Sequence, residues 1–196
     1  MNPLSQEPSL PNHHPITGLL LMGGQSRRMG RDKADIFWQG ERLWQRQYRL
    51  LSTVSDPVWR SVRHGVQPKP GLVVDASPFP GPVPSIIQAL RTMPGTWLLV
   101  VAVDLPRIDQ TLLTALVAAR SPHGVTITMS AGDAQPLLSI WHRTAAAALP
   151  SSEDLVGMSM HSLLTRVPTS YYHLPPDRAH LLVNVNTPEE LEAARR

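Results

Sequence analysis

Cysteine is absent from the 196 residues, which excludes disulfides, thiol nucleophiles and thiolate metal sites. Lysine is scarce: Lys33 and Lys69 are the only two lysines among 18 basic residues, and arginine carries the rest of the positive charge. Aromatic residues make up 5% of the chain and no Lys/Arg tract occurs, so the footprint of a nucleic-acid-binding protein is missing. No apolar run approaches the roughly 18 residues that a membrane-spanning helix requires. Met1 to Pro15 is rich in Pro, Asn and His without an apolar stretch, and it reads as a disordered tail instead of a signal peptide. What remains is a chain with 42% hydrophobic residues, enough to bury the core of a single domain over residues 16–196. The net charge of +3 suits anionic small molecules, and a cytoplasmic location is expected.

Against this background one stretch stands out. The apolar run from Ile16 to Leu21 ends in Met22, the pair Gly23-Gly24, and a polar loop holding Arg27, Arg28, Gly30, Asp32 and Lys33. Glycines let backbone amides approach a ligand closely, and successive N–H groups in such a turn form an anion-binding concavity. The arginines and Lys33 add positive charge at the same place, so a polyphosphate is the expected ligand. The spacing fits neither the P-loop, since Gly30 is followed by Arg31 where that motif needs Lys-Ser/Thr, nor the Gly-x-Gly-x-x-Gly dinucleotide fingerprint. In a chain that otherwise uses arginine, a lysine at this position suggests a need for a compact ammonium.

Short apolar runs alternate with longer amphipathic segments, as βαβ units do. Strands are expected at Ile16–Leu21, Val58–Val62, Leu72–Val74, Trp97–Val103, Val125–Met129, Leu137–Trp141 and Leu181–Val185. Helices are expected at Glu41–Leu51, Pro84–Met93, from an Asp109 cap to about Ala119, at Ala145–Leu149, at Met158–Leu164 and at Pro188–Arg195. Thr187 followed by Glu190 reads as a capping box for the last helix. The alternation implies an α/β fold with a mostly parallel sheet covered by helices on both faces. Asp75 and Asp104 follow expected strands, and Asn184 and Asn186 lie at the end of the last one, where open α/β sheets bind ligands. The histidines are scattered, without the i, i+4 spacing of a helical zinc site.

The segment Leu21 to Lys33 resembles the signature Leu-x-Gly-Gly-x-Ser-x-Arg-Met-Gly-x-Asp-Lys of nucleotidyltransferases, most closely that of the molybdenum cofactor guanylyltransferases (the MobA family). Asp104-Leu105-Pro106 is similar to the family's Asp-x-Pro, and Asn184-Val185-Asn186-Thr187-Pro188-Glu189 to its Asn-x-Asn-Thr-Pro-Glu. Gly81-Pro82 matches part of a Gly-Pro-Leu-Ala-Gly element, with Pro84-Ser85 replacing Ala-Gly. Gln135-Pro136-Leu137 matches a further short element on the acceptor side. The resemblance implies a three-layer, Rossmann-like sheet of the nucleotidyltransferase (glycosyltransferase-A-like) type, with an inserted antiparallel strand.

It also implies a reaction: transfer of GMP from GTP to the terminal phosphate of molybdopterin, releasing pyrophosphate and using Mg²⁺. By the same resemblance Asp104 would hold the metal, and Arg28 and Lys33 would serve catalysis. Leu21, Met22, Gly23, Gly24, Gly30, Ser61, Asp75 and Gly81 would contact the nucleotide, Ser61 standing where relatives have an asparagine. Asn184 and Asn186 would lie on the metal and acceptor-phosphate side. Many relatives place an arginine after the glycine corresponding to Gly157; this chain reads Gly157-Met158-Ser159-Met160-His161, so His161 or Arg166 is expected to grip the acceptor. Transient contact with cofactor-biosynthesis or molybdoenzyme proteins is implied as well. Cytidylyl transfer to the same acceptor, nucleotidyl transfer to a different phosphate monoester, and a nucleotide-binding module without catalysis stay open on the sequence alone.

Overall fold

The computed structural model describes residues 16–22, 36–62, 67, 69–74, 81–150 and 157–195. Its strands are β1 (Ile16–Leu21), β2 (Phe37–Trp38), β3 (Glu41–Arg42), β4 (Val58–Val62), β5 (Leu72–Val74), β6 (Trp97–Ala102), β7 (Val125–Ser130), β8 (Asp133–His142) and β9 (Thr169–His173). The α-helices are α1 (Leu43–Leu51), α2 (Pro82–Thr92), α3 (Gln110–Ala118), α4 (Met160–Leu164) and α5 (Pro188–Arg195). Among the described residues, seven strands form one sheet in the order β5-β4-β1-β6-β8-β7-β9. β8 alone runs against its neighbours β6 and β7; the other pairings are parallel. This is the mostly parallel sheet that the alternating sequence pattern implies, with β8 as the antiparallel insertion.

Apolar runs build the centre because both faces are covered, so alternation would expose nothing to water. All six residues of β6 are buried. Leu19 and Leu21 of β1, with Leu98 and Val100 of β6, pack under α2 and α4 against Ile86, Ile87, Leu90 and Leu163. Leu20, Leu99 and Val101 point to the opposite face, where Leu43 and Leu51 of α1, Leu112 and Leu116 of α3 and Ala194 of α5 meet them. Gly18 allows α1 to close on the sheet: a Cβ there would sit 2.5 Å from Ser55 Oγ and 2.8 Å from Leu51 Cγ.

Several boundaries differ from the sequence expectation. Glu41–Arg42 is not the start of α1; it pairs with Phe37–Trp38 in a hairpin whose turn, Gln39-Gly40, has positive φ at both residues. α2 begins at Pro82, two residues early, because proline suits a first turn. β8 starts at Asp133, ahead of Leu137, and the Arg143–Ala148 segment is a 3-10 helix. β9 was not anticipated; it is a half-exposed edge strand without an apolar run. Leu181–Val185 is not a strand. Pro176–Leu182 coils as a 3-10 helix, because Leu181 and Leu182 both bury against the same core, whereas consecutive strand residues face opposite sides.

Candidate active site

The carboxyl ends of β1 and β6 lie side by side: the Val103 amide donates to the Leu21 carbonyl at 3.0 Å. Leu21 is buried, and the next amide, that of Met22, donates to Ser61 Oγ on β4 at 3.1 Å. Ser61 therefore fixes the last described residue before the glycine-rich segment. That segment, with Gly23, Gly24, Arg28, Gly30 and Lys33, lies outside the described residues, as does Asp75 after β5. The segment resumes at Ile36, whose carbonyl accepts the amide of Leu43 at the head of α1 (2.7 Å). Its entry and exit are thus tied to β4 and α1.

Asp104 stands half-buried beyond the end of β6. Its carbonyl accepts the Val185 amide at 2.9 Å, and Val185 itself is fully buried. Asn184 and Asn186, both exposed, flank that anchor. Residues separated by some eighty positions are thereby held beside one another at the strand ends, where the resemblance places the nucleotide. The arrangement is braced further along. Glu190 accepts the amides of Asn186 (2.5 Å) and Thr187 (3.2 Å), while Thr187 Oγ1 accepts the Glu190 amide at 3.2 Å. This is the capping box read from the sequence. Backbone and Thr187 hydrogen bonds hold the exposed Glu189 carboxyl below its ordinary pKa. At the other end of α5, Arg107 Nε and Nη2 donate to the Ala194 carbonyl at 3.1 and 2.7 Å. Both ends of the C-terminal segment are therefore fastened to the short loop that carries Asp104.

Asp109, the nearest acid in sequence, is committed elsewhere. It caps α3 through the Leu112 amide (2.7 Å) and pairs with Arg178 through both carboxylate oxygens at 2.8 Å. No group of three or more His, Cys, Asp or Glu able to hold a metal occurs among the described residues. A Mg²⁺ ion needs hard oxygen donors, takes only one or two carboxylates from a protein and completes its shell with water and phosphate oxygens. A single carboxylate such as that of Asp104 meets that requirement.

Gly81 precedes the first turn of α2 without a side-chain cap. Prolines at 82 and 84 withhold two of the amides that such a turn could offer a phosphate. His161 and Arg166 are exposed, on α4 and just after it. The structure does not bring Arg166 to the site. The Pro168 carbonyl bonds Val125 at the start of β7, and β9 runs parallel from there, so Arg166 sits at the amino ends of the strands. A six-residue strand separates it from the Asp104 end, about 20 Å at 3.3 Å per residue.

Sequence reasoning missed Ser61 as the anchor of Met22, Arg107 as the clamp on α5, and Gln47, a polar residue in the apolar stripe Leu43, Gln47, Leu51 of α1. It also missed a three-residue excess on β8 opposite Ile127 and Thr128, at Pro136–Leu138. Bulges of this kind gather beside functional sites.

The family profile of MobA-like NTP transferase domains matches residues 18–169. A molybdenum cofactor guanylyltransferase of Pseudomonas aeruginosa is 32% identical over 185 residues, covering 90% of this chain and 93% of that protein. A molybdenum cofactor biosynthesis bifunctional protein of Synechocystis is 32% identical over 184 residues; the chain spans 52% of its length. Among solved structures, a molybdopterin-guanine dinucleotide biosynthesis protein A from Archaeoglobus fulgidus superposes with a TM-score of 0.73 at 23% identity, covering 91% of this chain and 96% of that one. A 4-diphosphocytidyl-2C-methyl-D-erythritol synthase from Anaerococcus prevotii reaches 0.66 at 10% identity, covering 92% and 96%, a likeness of fold alone. The profile match over most of the chain, on this sheet and with these strand-end residues, makes the protein a member of the MobA-like NTP transferase family.

Proposed function

We propose that the protein transfers GMP from GTP to the terminal phosphate of molybdopterin, forming the guanine dinucleotide and pyrophosphate, through a single domain over residues 16–196. The observation that carries the reading is the Val185–Asp104 backbone bond, which sets Asn184 and Asn186 beside Asp104 at the end of β6. That the Pseudomonas relatives are molybdenum cofactor guanylyltransferases supports the choice of donor and acceptor.

The acceptor phosphate is already ionised near neutral pH, so it needs no strong general base. The barrier is the approach of one anion to another and the departure of pyrophosphate, and the protein's task is positioning and charge neutralisation. Met22, fixed by Ser61, would present the start of the glycine loop to the base and ribose. The amides of Gly23, Gly24 and Gly30 would wrap the β- and γ-phosphates, and Arg28 and Lys33 would balance the charge that builds on them. Asp104 would hold Mg²⁺, which acts as a Lewis acid on phosphate oxygens when bound. Asn184 and Asn186 would orient the acceptor phosphate towards the α-phosphorus, with His161 or Arg166 gripping the acceptor. Asp75 and Gly81 would border the nucleotide at β5 and α2.

No described helix is long and apolar enough to cross a membrane. With GTP as donor, the reaction would belong in the cytoplasm, and handover of the product would bring transient contact with other cofactor-handling proteins. The test is pyrophosphate release from GTP, CTP, ATP and UTP, each with and without molybdopterin. Release that requires both GTP and molybdopterin is expected. Preference for CTP would reassign the base, and tight GTP binding without release would mark a binding module.

A further inference from the structure

We infer that Gln47 of α1 is a positioning residue that holds the Asp104 loop in its metal-binding conformation. The inference rests on the metal role proposed for Asp104. Gln47 Nε2 donates to the Leu105 carbonyl at 2.6 Å, and the side chain is completely buried. Arg46, its neighbour, donates through Nη2 to the Ile108 carbonyl at 3.1 Å. Burial lowers the Arg46 guanidinium from its usual pKa, with Glu41 opposing the shift. Two consecutive polar residues of one helix thus reach over to the same loop.

Packing does not account for Gln47. It occupies the centre of the stripe Leu43, Gln47, Leu51, where a leucine would fill the core without burying an amide. Its Oε1 has no partner among the described residues, so the position accepts an unpaired buried acceptor. What the glutamine supplies and a leucine cannot is one directed bond. That bond fixes the peptide that follows Leu105, while Val185 fixes the peptide that follows Asp104 and the Val103–Leu21 bond fixes the peptide between Ala102 and Val103. Together the three hold the loop on either side of Asp104. Because Leu43 of α1 also bonds Ile36, where the chain leaves the glycine-rich segment, α1 is tied to both Ile36 and the Asp104 loop. Partners that orient a ligand's loop commonly change metal affinity about tenfold or more when removed.

The test compares wild type, Gln47→Met, Gln47→Glu and Leu51→Val. Mn²⁺ binding is measured by electron paramagnetic resonance in the presence of a GTP analogue with a non-cleavable α,β linkage, alongside kcat, KM for GTP and thermal unfolding. Methionine keeps the volume and removes the donor; glutamate keeps the shape and, when ionised, offers the Leu105 carbonyl no proton; Leu51→Val loosens the same helix without touching the bond. Gln47→Met is expected to bind Mn²⁺ about tenfold more weakly, with kcat falling in parallel and KM for GTP changing less than about twofold. Gln47→Glu should be at least as impaired, and Leu51→Val should lower the unfolding temperature with unchanged Mn²⁺ affinity. Wild-type Mn²⁺ affinity in Gln47→Met, or an equal loss in Leu51→Val, would overturn the inference and leave the Asp104 assignment standing. A wild type that binds no Mn²⁺ with the nucleotide would overturn the Asp104 assignment and this inference with it. Normal Mn²⁺ behaviour without GMP transfer would instead retire only the proposed reaction.

Discussion

Replacing Glu190 with alanine removes the single carboxylate oxygen that accepts both the Asn186 and Thr187 amides. Both amides belong to the segment fastened to Asp104 through Val185, so the change loosens the start of α5 and the asparagine pair together. A lost capping interaction costs about 1 kcal/mol. For a chain of this size that corresponds to a fall in unfolding temperature of about 2–4 °C. If the same free energy is expressed as misplacement of Asn184 and Asn186, turnover falls about fivefold. Calorimetry and a coupled pyrophosphate assay on Glu190→Ala, Thr187→Ala and the double variant read both effects. Because the box is reciprocal, the double variant should lose less than the sum of the two singles. Unaltered stability and turnover in Glu190→Ala, or strict additivity, would refute the reasoning that the box positions the site.

Other expectations follow from named contacts. Gly18→Ala should lower stability by about 1–3 kcal/mol, since its Cβ would meet Ser55 Oγ at 2.5 Å and force α1 off the sheet; an unchanged denaturant midpoint would contradict this. Lys33→Ala should weaken GTP binding and slow turnover while Lys69→Ala does neither, and Lys33→Arg should rescue only in part because a planar guanidinium does not replace a point charge; equal kinetics for the two alanine variants would remove Lys33 from the site. His161→Ala should raise KM for molybdopterin and Arg166→Ala should not, given the opposite-end position of Arg166; the reverse order would show that the acceptor approaches from the amino ends of the strands.

Local chemistry is legible in the sequence. The apolar runs of β1 and β6 and the Thr187–Glu190 box announce themselves within a few residues, because burial on both faces and a cap are local chemistry. The rest depends on partners far along the chain. β9 carries an edge-strand mixture of Thr, Ser and Tyr with no clean apolar pattern, so only its pairing with β7 reveals it. Leu181–Leu182 looks like a strand until the core that both side chains share is known. The site divides in the same way. The motifs around Asp104 and Asn184–Asn186 are visible in sequence, but their adjacency comes from one long-range amide bond. The register of β9 puts Arg166 beside the amino ends of the strands, and neither position could be foretold from spacing. Gln47 did leave a signal: a lone amide in the middle of an apolar helical stripe.

The most direct test of the account is Asp104→Ala, assayed for pyrophosphate release from GTP and molybdopterin alongside circular dichroism and thermal unfolding. Asp104 stands at the end of a fully buried strand with its backbone held by Val185, so loss of the carboxylate should leave the fold in place. Losing a metal ligand removes several kcal/mol of transition-state stabilisation, so turnover should fall by about a hundredfold or more. A correctly folded Asp104→Ala protein that releases pyrophosphate at close to the wild-type rate would contradict the central claim that this strand end is the catalytic site.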